Sequence, residues 1–278
     1  MPGEKSQEDR EIYISDLVRA SDKDHYLATL LAPVRLRGHL FALHSFDLEI
    51  QAIPDKVHEP LAGEIRIQWW RDWLQEYRGK GQSGNPVADS LHTAIETFGL
   101  PVGTLLEMLD GWSSVIQNEP VPDQKSMAAR LIATEQPMLS LIAQVFSIEP
   151  KNSASISDLA AYAGYIRLLK NIGANRACAR NFISDDLLSL RDRNEPQKTS
   201  QKLISEISQL ALLQQASAQK FFNELPKQVR PAFAYLAAVG PELRNGNLND
   251  AQYVKMTGAI NPLKRQWRIW RAVRTGRF

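Results

Sequence analysis

Apolar residues recur at helical spacing along most of the chain, whereas the alternating apolar and polar runs that predict strands are scarce. This pattern predicts an all-α protein. The first helices are predicted near residues 12–18, 26–31 and 34–53, with Pro33 closing the second. Pro60 suits the first turn of the next helix, and later helices are predicted near 87–98, 102–117, 124–147, 155–178, 200–223, 228–239 and 262–275.

Loops are predicted near residues 79–86, 118–123 and 190–197. None of them is long enough to act as a linker between two domains, and no internal repeat is present. We therefore expect one domain over residues 1–278, ending in a basic amphipathic helix at 262–278.

Three segments carry most of the information about function: residues 44–50, 60–72 and 163–188. Together they resemble the squalene/phytoene synthase family. The resemblance implies a single-domain, isoprenoid-synthase-like helical bundle around a central cavity. It also implies a chemistry in which two prenyl diphosphates are joined after Mg²⁺, held by carboxylates, stabilises the departing diphosphate.

The acidic residues of the family's two metal motifs are largely replaced in this chain. In the first motif, Gln51 stands at one acid position and Asp55 keeps the other, while Asp47 lies one turn earlier. Pro54 is expected to kink or end the helix between Gln51 and Asp55. In the second motif Asn171 and Asn175 replace both aspartates, and we expect them on one helical face.

The phosphate-binding cations that the resemblance implies are also fewer. Lys170 and Arg180 keep positive charge, but Ala177, Cys178 and Ala179 replace a run of arginines. We therefore predict the remains of a metal and diphosphate site, without a bound metal and without an assigned catalytic residue. Its members are Asp47, Gln51, Asp55, Lys170, Asn171, Asn175 and Arg180.

The helix after Pro60 matches the family more fully, and it resembles a subgroup that includes the mitochondrial complex I assembly factor 6 and alphaproteobacterial relatives. One interpretation is structural, with the tryptophans in the core, the charges in solvent, and local pairs Gln68–Asp72 and Arg71–Gln75. The other is a retained pocket or partner-binding role. The matching residues are Glu64, Arg66, Gln68, Trp69, Trp70, Arg71 and Asp72, with Trp73 beyond them.

The C-terminal segment is strongly basic, because seven lysines and arginines but no acidic residue follow Asp250. Arginines at three-residue spacing and two tryptophans predict a helix that contacts a membrane surface or an acidic partner. Packing against the protein itself is the alternative, and nucleic acid is disfavoured because no basic face extends the segment. The residues concerned are Trp267, Arg268, Trp270, Arg271 and Arg274.

Composition restricts the remaining possibilities. The net charge is +2, hydrophobic residues make up 44% of the chain, and no apolar run is long enough to span a bilayer. The polar N-terminus lacks the pattern of a signal peptide, and the single Cys178 excludes an internal disulfide. These features indicate a bacterial cytoplasmic protein, or an already trimmed mature form, associated peripherally with a membrane.

Two classes of function follow. The first is a non-catalytic binding or assembly factor for a membrane complex of the respiratory complex I type, with no cofactor. The alternative is an active head-to-head prenyl transferase in which Asp47 and Asp55 hold Mg²⁺ with Asn171 and Asn175 as neutral ligands. A third interpretation keeps an isoprenoid, a quinone or another lipid in the cavity without chemistry.

Overall fold

The structure is a computed structural model that describes residues 6–57, 59–76, 83–148, 153–189, 196–239, 243 and 261–277. Within these ranges the secondary structure consists of α-helices and 3-10 turns, and no strand occurs. The predicted all-α class is confirmed. The predicted loop at 118–123 is present, while residues 79–82 and 190–195 of the other two predicted loops lie outside the described residues.

The first half of the chain forms six helices, whose starts follow ordinary capping chemistry. Ser6 and Asp9 form a reciprocal capping box at the first helix, and Asn85 caps the sixth ahead of Pro86. The helices are α1 (Gln7–Ser21), α2 (Lys23–Leu30), α3 (Val34–Gln51), α4 (Ile53–Lys56), α5 (Pro60–Glu76) and α6 (Pro86–Phe98).

The second half differs from expectation in two places. The helix predicted near 155–178 ends at Gly173, and the helix predicted near 228–239 is replaced by two 3-10 turns, Arg230–Ala232 and Ala234–Ala238. Pro231 lacks the N–H that a continuous α-helix needs there. The helices are α7 (Val102–Ile116), α8 (Gln124–Val145), α9 (Ser153–Gly173), α10 (Asp185–Ser189), α11 (Pro196–Glu224) and α12 (Pro262–Thr275).

Helix α8 packs between α7 and α9 and also contacts α3, while α11 packs against α9. Two glycines allow the close approach. A Cβ at Gly111 would lie 2.7 Å from the carbonyl oxygen of Ala133, and a Cβ at Gly164 would lie 2.8 Å from the Cβ of Leu131. Pro137, inside α8, has no N–H to donate to Ala133, so this carbonyl lacks its usual helical partner.

We expect Gly111→Ala and Gly164→Ala each to lower the free energy of unfolding by about 1–3 kcal/mol, because the added methyl group forces the helices apart. Gly103→Ala, also in α7, is the matched control, since a Cβ there meets nothing within 4 Å. Urea unfolding of the three variants measures the difference. Equal stabilities for all three would show that the α7–α8–α9 contact is not close-packed.

Candidate functional site

A small polar cavity lies between α2, α3, α8 and α9. Its volume is about 40 Å³, which is room for a few water molecules. Charged and aromatic side chains from separate elements converge on it. The lining residues with polar side chains are Asp22, His25, His44, Asp47, Gln51, Glu135, Arg167, Lys170 and Tyr235.

Asp47 of α3 is the carboxylate that the cavity perturbs most clearly. It is 8% exposed, and its Oδ2 accepts a hydrogen bond of 2.6 Å from Nε2 of Gln51. Within the described part of the chain its Oδ1 has no hydrogen-bond partner. Burial, and then the negative charge of Glu135, raise the pKa of Asp47 to about 7.

Glu135 of α8 and Arg167 of α9 form an ion pair deep in the bundle, with 2.6 Å between Oε1 and Nη1. Nη2 of Arg167 donates to Oγ1 of Thr134 at 2.7 Å. The guanidinium also lies over the ring of Trp112, 4.8 Å from its centroid. Arg167 is therefore fixed on three sides, and its charge is already compensated by the protein.

Two histidines and a tyrosine close another wall of the cavity. The ring of His25 stacks on Tyr235 with centroids 3.9 Å apart, and meets His44 edge-on at 4.7 Å. Burial alone would lower the pKa of His25, but the carboxylate of Asp22 outweighs it and raises the pKa. Burial, reinforced by the charge of His25, holds the pKa of His44 well below its usual value.

Asp22 has a second role as the N-cap of α2, where its side chain accepts from the backbone N–H groups of Asp24 and His25. Burial opposes its ionisation, but Lys170 and His25 hold its pKa well below the usual range. Its carboxylate therefore remains charged, and local structure already engages it.

An outer pocket of about 330 Å³ shares Asp22, Gln51, Arg167 and Lys170 with the cavity and opens to the surface. At its rim Nζ of Lys170 lies 2.8 Å from Oδ2 of Asp24, which is 2% exposed. Nε of Arg265, from α12, lies 3.0 Å from the other oxygen of Asp24. Asp24 thus joins the C-terminal helix to α9.

Asp55 does not line the outer pocket, but it is bound to Arg176, which does, and it belongs to a different element from Asp47. Pro54 has no N–H, α3 ends at Gln51, and Asp55 belongs to the short helix α4. The predicted helix break is confirmed, and a continuous ladder of Asp47, Gln51 and Asp55 on one helix is excluded. Arg176 forms an ion pair with Asp55, whose Oδ1 also accepts from the backbone N–H of Ala177 at 3.0 Å.

The expected common face of Asn171 and Asn175 is wrong. Asn171 is buried in α9 with its Nδ2 3.8 Å from Sγ of Cys178, whereas Asn175 is exposed beyond the end of the helix at φ +53°. The backbone N–H of Arg176 bonds to the carbonyl of Asn171, and that of Asn175 bonds to Ile172. This is the Schellman pattern, in which an asparagine at the left-handed position ends the helix.

The described residues do not fit a magnesium site. Among them, no three His, Cys, Asp or Glu side chains are grouped so that they could hold a metal ion. Mg²⁺ requires hard oxygen ligands around a near-octahedral centre. Asp55 is instead paired with Arg176, and Asp47 accepts from Gln51.

Comparison with known proteins places this arrangement in a family. Residues 18–268 match the family model for squalene/phytoene synthase. The chain belongs to the squalene/phytoene synthase family. Curated relatives include NADH dehydrogenase (ubiquinone) complex I, assembly factor 6, of Homo sapiens, 23% identical over 80% of this chain and 69% of the relative. The protein of the same name from Bos taurus is 22% identical over 84% of this chain and 72% of its own length.

Solved structures show the same fold. A dehydrosqualene synthase in complex with ligand superposes with a TM-score of 0.73 and 13% identity, over 96% of each chain. The squalene synthase HpnC from Alicyclobacillus acidocaldarius superposes with a TM-score of 0.65 and 13% identity, over 84% of this chain and 94% of that structure. The predicted isoprenoid-synthase fold is confirmed.

In α5, the helix that matches the family most fully, Arg66 and Asp72 are exposed as the structural interpretation expected. Glu64 and Arg71 instead form contacts with α7. Arg71 donates to Glu64 at 2.6 Å and to Asp110 of α7 at 2.9 Å, and Glu64 accepts from Ser113 at 2.7 Å. The predicted pairing of Arg71 with Gln75 is therefore replaced by contacts that clamp α5 to α7.

Other expectations for α5 are met in part. The predicted hydrogen bond from Gln68 to Asp72 is present at 2.7 Å. Trp70 is buried against Phe46, but Trp69 is 43% exposed and is not a core anchor. Arg66 is exposed.

The remaining cations divide between the interior and the surface. Arg180 is exposed on the 3-10 turn Ala177–Phe182, and it lines neither the cavity nor the outer pocket. In α12, Arg268 turns inward and donates to the carbonyl of Ala238 at 2.9 Å, whereas Arg271 and Arg274 are exposed. A single basic stripe through Arg268, Arg271 and Arg274 is therefore wrong, because three-residue spacing drifts around a helix. None of the described helices has both the length and the apolar character that a bilayer-spanning segment requires.

Several residues of the site were not predicted from the sequence. Arg167, Lys170 and Asn171 stand at i, i+3 and i+4, so helical spacing alone places Arg167 beside the expected site. Asp22 precedes a predicted helix, which is the usual N-cap signal. No comparable signal identifies the others, because they come from elements distant in sequence. The residues not predicted are Asp22, Asp24, His25, His44, Glu135, Arg167, Arg176, Tyr235 and Arg265.

The raised pKa of Asp47 makes stability depend on pH. Its folded value of about 7 lies above the value of about 3.9 for an unfolded aspartate. The folded protein therefore takes up a proton at this site. The resulting stability is fully present below about pH 4 and is lost as the pH rises through about 7.

We expect Asp47→Asn, which cannot ionise, to raise the free energy of unfolding by about 1–4 kcal/mol near pH 8, with an advantage that shrinks towards pH 4. Urea unfolding across this range measures it. Asp72→Asn, at an exposed carboxylate of α5, controls for the loss of one acidic charge. A constant destabilisation by Asp47→Asn at every pH would contradict the assignment.

Proposed function

We propose that this member of the squalene/phytoene synthase family is a non-catalytic protein that assists the assembly of a membrane complex of the respiratory complex I type. The names of its curated relatives support the assembly role. The internal pairing of charges around the cavity supports the absence of catalysis, and it is the observation on which the proposal rests.

Several of the ionised groups that a metal–diphosphate complex would need already have a partner in the protein. Glu135 is paired with Arg167, and Asp55 with Arg176. Asp24 pairs with both Lys170 and Arg265, one carboxylate oxygen for each cation, and Asp22 lies 3.7 Å from Nζ of Lys170. Opening a buried ion pair costs about 3–5 kcal/mol when one partner is left uncompensated. Binding Mg²⁺ or diphosphate here would require opening such pairs, of which Glu135–Arg167 and Asp24–Arg265 are the most buried, while Asp55–Arg176 is partly exposed.

The size of the cavity supports the same proposal. Sites for small molecules enclose about 300–1,000 Å³, whereas the cavity beside Asp47 encloses about 40 Å³. The outer pocket, at about 330 Å³, reaches this range, but it opens to the surface and most of its lining side chains are polar or charged. Tyr235 and His25, stacked on each other, occupy one wall of the cavity beside Asp47. A prenyl chain, a quinone or another lipid would not enter this cavity without displacing them, so the cavity does not favour a lipid ligand.

The proposed partners are subunits of the membrane complex and the surface of the membrane in which it assembles. No cofactor is needed for this role. The alternative of an active head-to-head prenyl transferase requires Asp47 and Asp55 to act together with Asn171 and Asn175. Asp47 and Asp55 lie on separate helices, and Asn175 lies outside α9.

With farnesyl or geranylgeranyl diphosphate and Mg²⁺, the purified protein is expected to release diphosphate no faster than a sample without protein. The physical reason is that the paired carboxylates cannot hold the metal. A colorimetric assay of released phosphate after pyrophosphatase treatment measures this, with an active squalene synthase as the positive control. Mg²⁺-dependent release that disappears in Asp47→Asn would contradict the proposal.

Deleting the gene in its own organism is expected to lower the amount of fully assembled complex I, measured by native gel electrophoresis and NADH–quinone activity. The wild-type gene and Asp47→Asn should restore assembly equally, since the proposed role needs no ionised carboxylate at position 47. Unchanged complex I in the deletion strain would exclude the assembly role. Rescue by the wild type alone would show that the cavity performs chemistry.

A further inference from the structure

The C-terminal helix α12 is anchored to the body of the protein along one face. Ile269 and Ala272 are completely buried there. Arg265 pairs with Asp24, and Arg268 donates to the carbonyl of Ala238. Asn261 caps the start of α12, and Gly276 ends it in the left-handed conformation. The helix is therefore preformed, and its orientation is fixed.

The opposite face of α12 exposes large apolar side chains. Leu263 is 73% exposed, Trp267 53% and Trp270 44%. These three line an open groove of about 300 Å³ together with Leu30 and Leu31 at the end of α2. Two separate elements thus contribute to one exposed apolar surface, which we call the α2–α12 surface.

Cations accompany this surface, and no acidic side chain of its own segment balances them. The guanidinium of Arg271 lies over the ring of Trp267 at 5.3 Å, and that of Arg274 over Trp270 at 4.8 Å. Lys264 is exposed as well. Residues 251–278 contain no aspartate or glutamate. The α2–α12 surface therefore combines exposed apolar groups with cations, Lys264, Arg271 and Arg274, that no carboxylate in the described part of the chain pairs with.

We infer that the α2–α12 surface binds a lipid bilayer that contains anionic lipids. Tryptophan is enriched at the boundary between headgroups and acyl chains, where its ring is apolar and its N–H stays hydrated. Arginines beside it reach anionic headgroups, while the leucines enter the acyl region. Because α12 is already folded, binding requires no ordering of the chain.

This inference deepens the membrane part of the proposed function, but its test is independent of assembly and of catalysis. Trp267 and Trp270 line neither the polar cavity nor the outer pocket. If the protein binds vesicles but deletion of its gene leaves complex I unchanged, this inference therefore stands while the assembly role is excluded.

The test is co-sedimentation of the full chain with vesicles of phosphatidylcholine alone or with ~30 mol% phosphatidylglycerol. We expect binding to the anionic vesicles, at least tenfold weaker binding to the neutral ones, and a decline with added salt. Trp267→Ala with Trp270→Ala should lower the anionic partition coefficient at least tenfold. Arg271→Gln with Arg274→Gln should lower it by roughly the same factor.

Matched controls come from α5, which carries an exposed tryptophan and an exposed arginine away from this surface. Trp69, 43% exposed, matches Trp270 in type and exposure, so Trp69→Ala and Arg66→Gln should leave vesicle binding unchanged. Circular dichroism and thermal unfolding establish that each variant is folded. Failure of the wild type to bind anionic vesicles would overturn the inference and favour a protein partner for this surface. Equal losses in the α5 variants, or equal binding to neutral vesicles, would overturn it too.

Discussion

The compensation of charge around α9 is the constraint on which the rest of the site depends. Lys170 of α9 pairs with Asp24 of α2, which in turn holds Arg265 of α12. Arg167 pairs with Glu135 of α8, and just beyond the end of α9 Arg176 pairs with Asp55 of α4. Each pair joins two elements, so the charges at the cavity fix the relative positions of the helices that surround it.

This network explains how the helical bundle accommodates several buried charges at its polar centre. A buried cation or carboxylate is tolerated when another side chain neutralises it. The close contacts of α8 at Gly111 and Gly164 bring Glu135 within reach of Arg167. Packing and electrostatics therefore support the same arrangement, and no external ion is required to balance the carboxylates that have partners.

Much of the fold could be predicted from the sequence because helical spacing and proline positions act locally. The break at Pro54 and the helix at 262–275 are local features of this kind. The end of α9 was missed because a left-handed Asn175 gives no periodic signal: the apolar pattern continues past it. Likewise Arg71 forms ion pairs with Glu64 and Asp110 and not the predicted pair with Gln75. Such pairs depend on the packing of neighbouring helices, which sequence spacing does not reveal.

The site was predictable only where its residues share one helix. Asp47 and Gln51 on α3, and Lys170 and Asn171 on α9, lie where helical spacing places them. The partners that neutralise the site come from four other elements, and no single-chain pattern links Asp24 with Arg265 or Glu135 with Arg167. Tyr235 lies in a 3-10 turn where a helix was predicted, so helical spacing could not place it at the site.

Isothermal titration of the purified protein with MgCl₂ near neutral pH tests the central claim most directly, because carboxylates with internal partners do not bind Mg²⁺ as open ones do. The expected result is the heat of dilution alone up to millimolar Mg²⁺. Saturable binding that is lost in Asp55→Asn would contradict the account, since it would show that the ion pair with Arg176 opens to admit a metal.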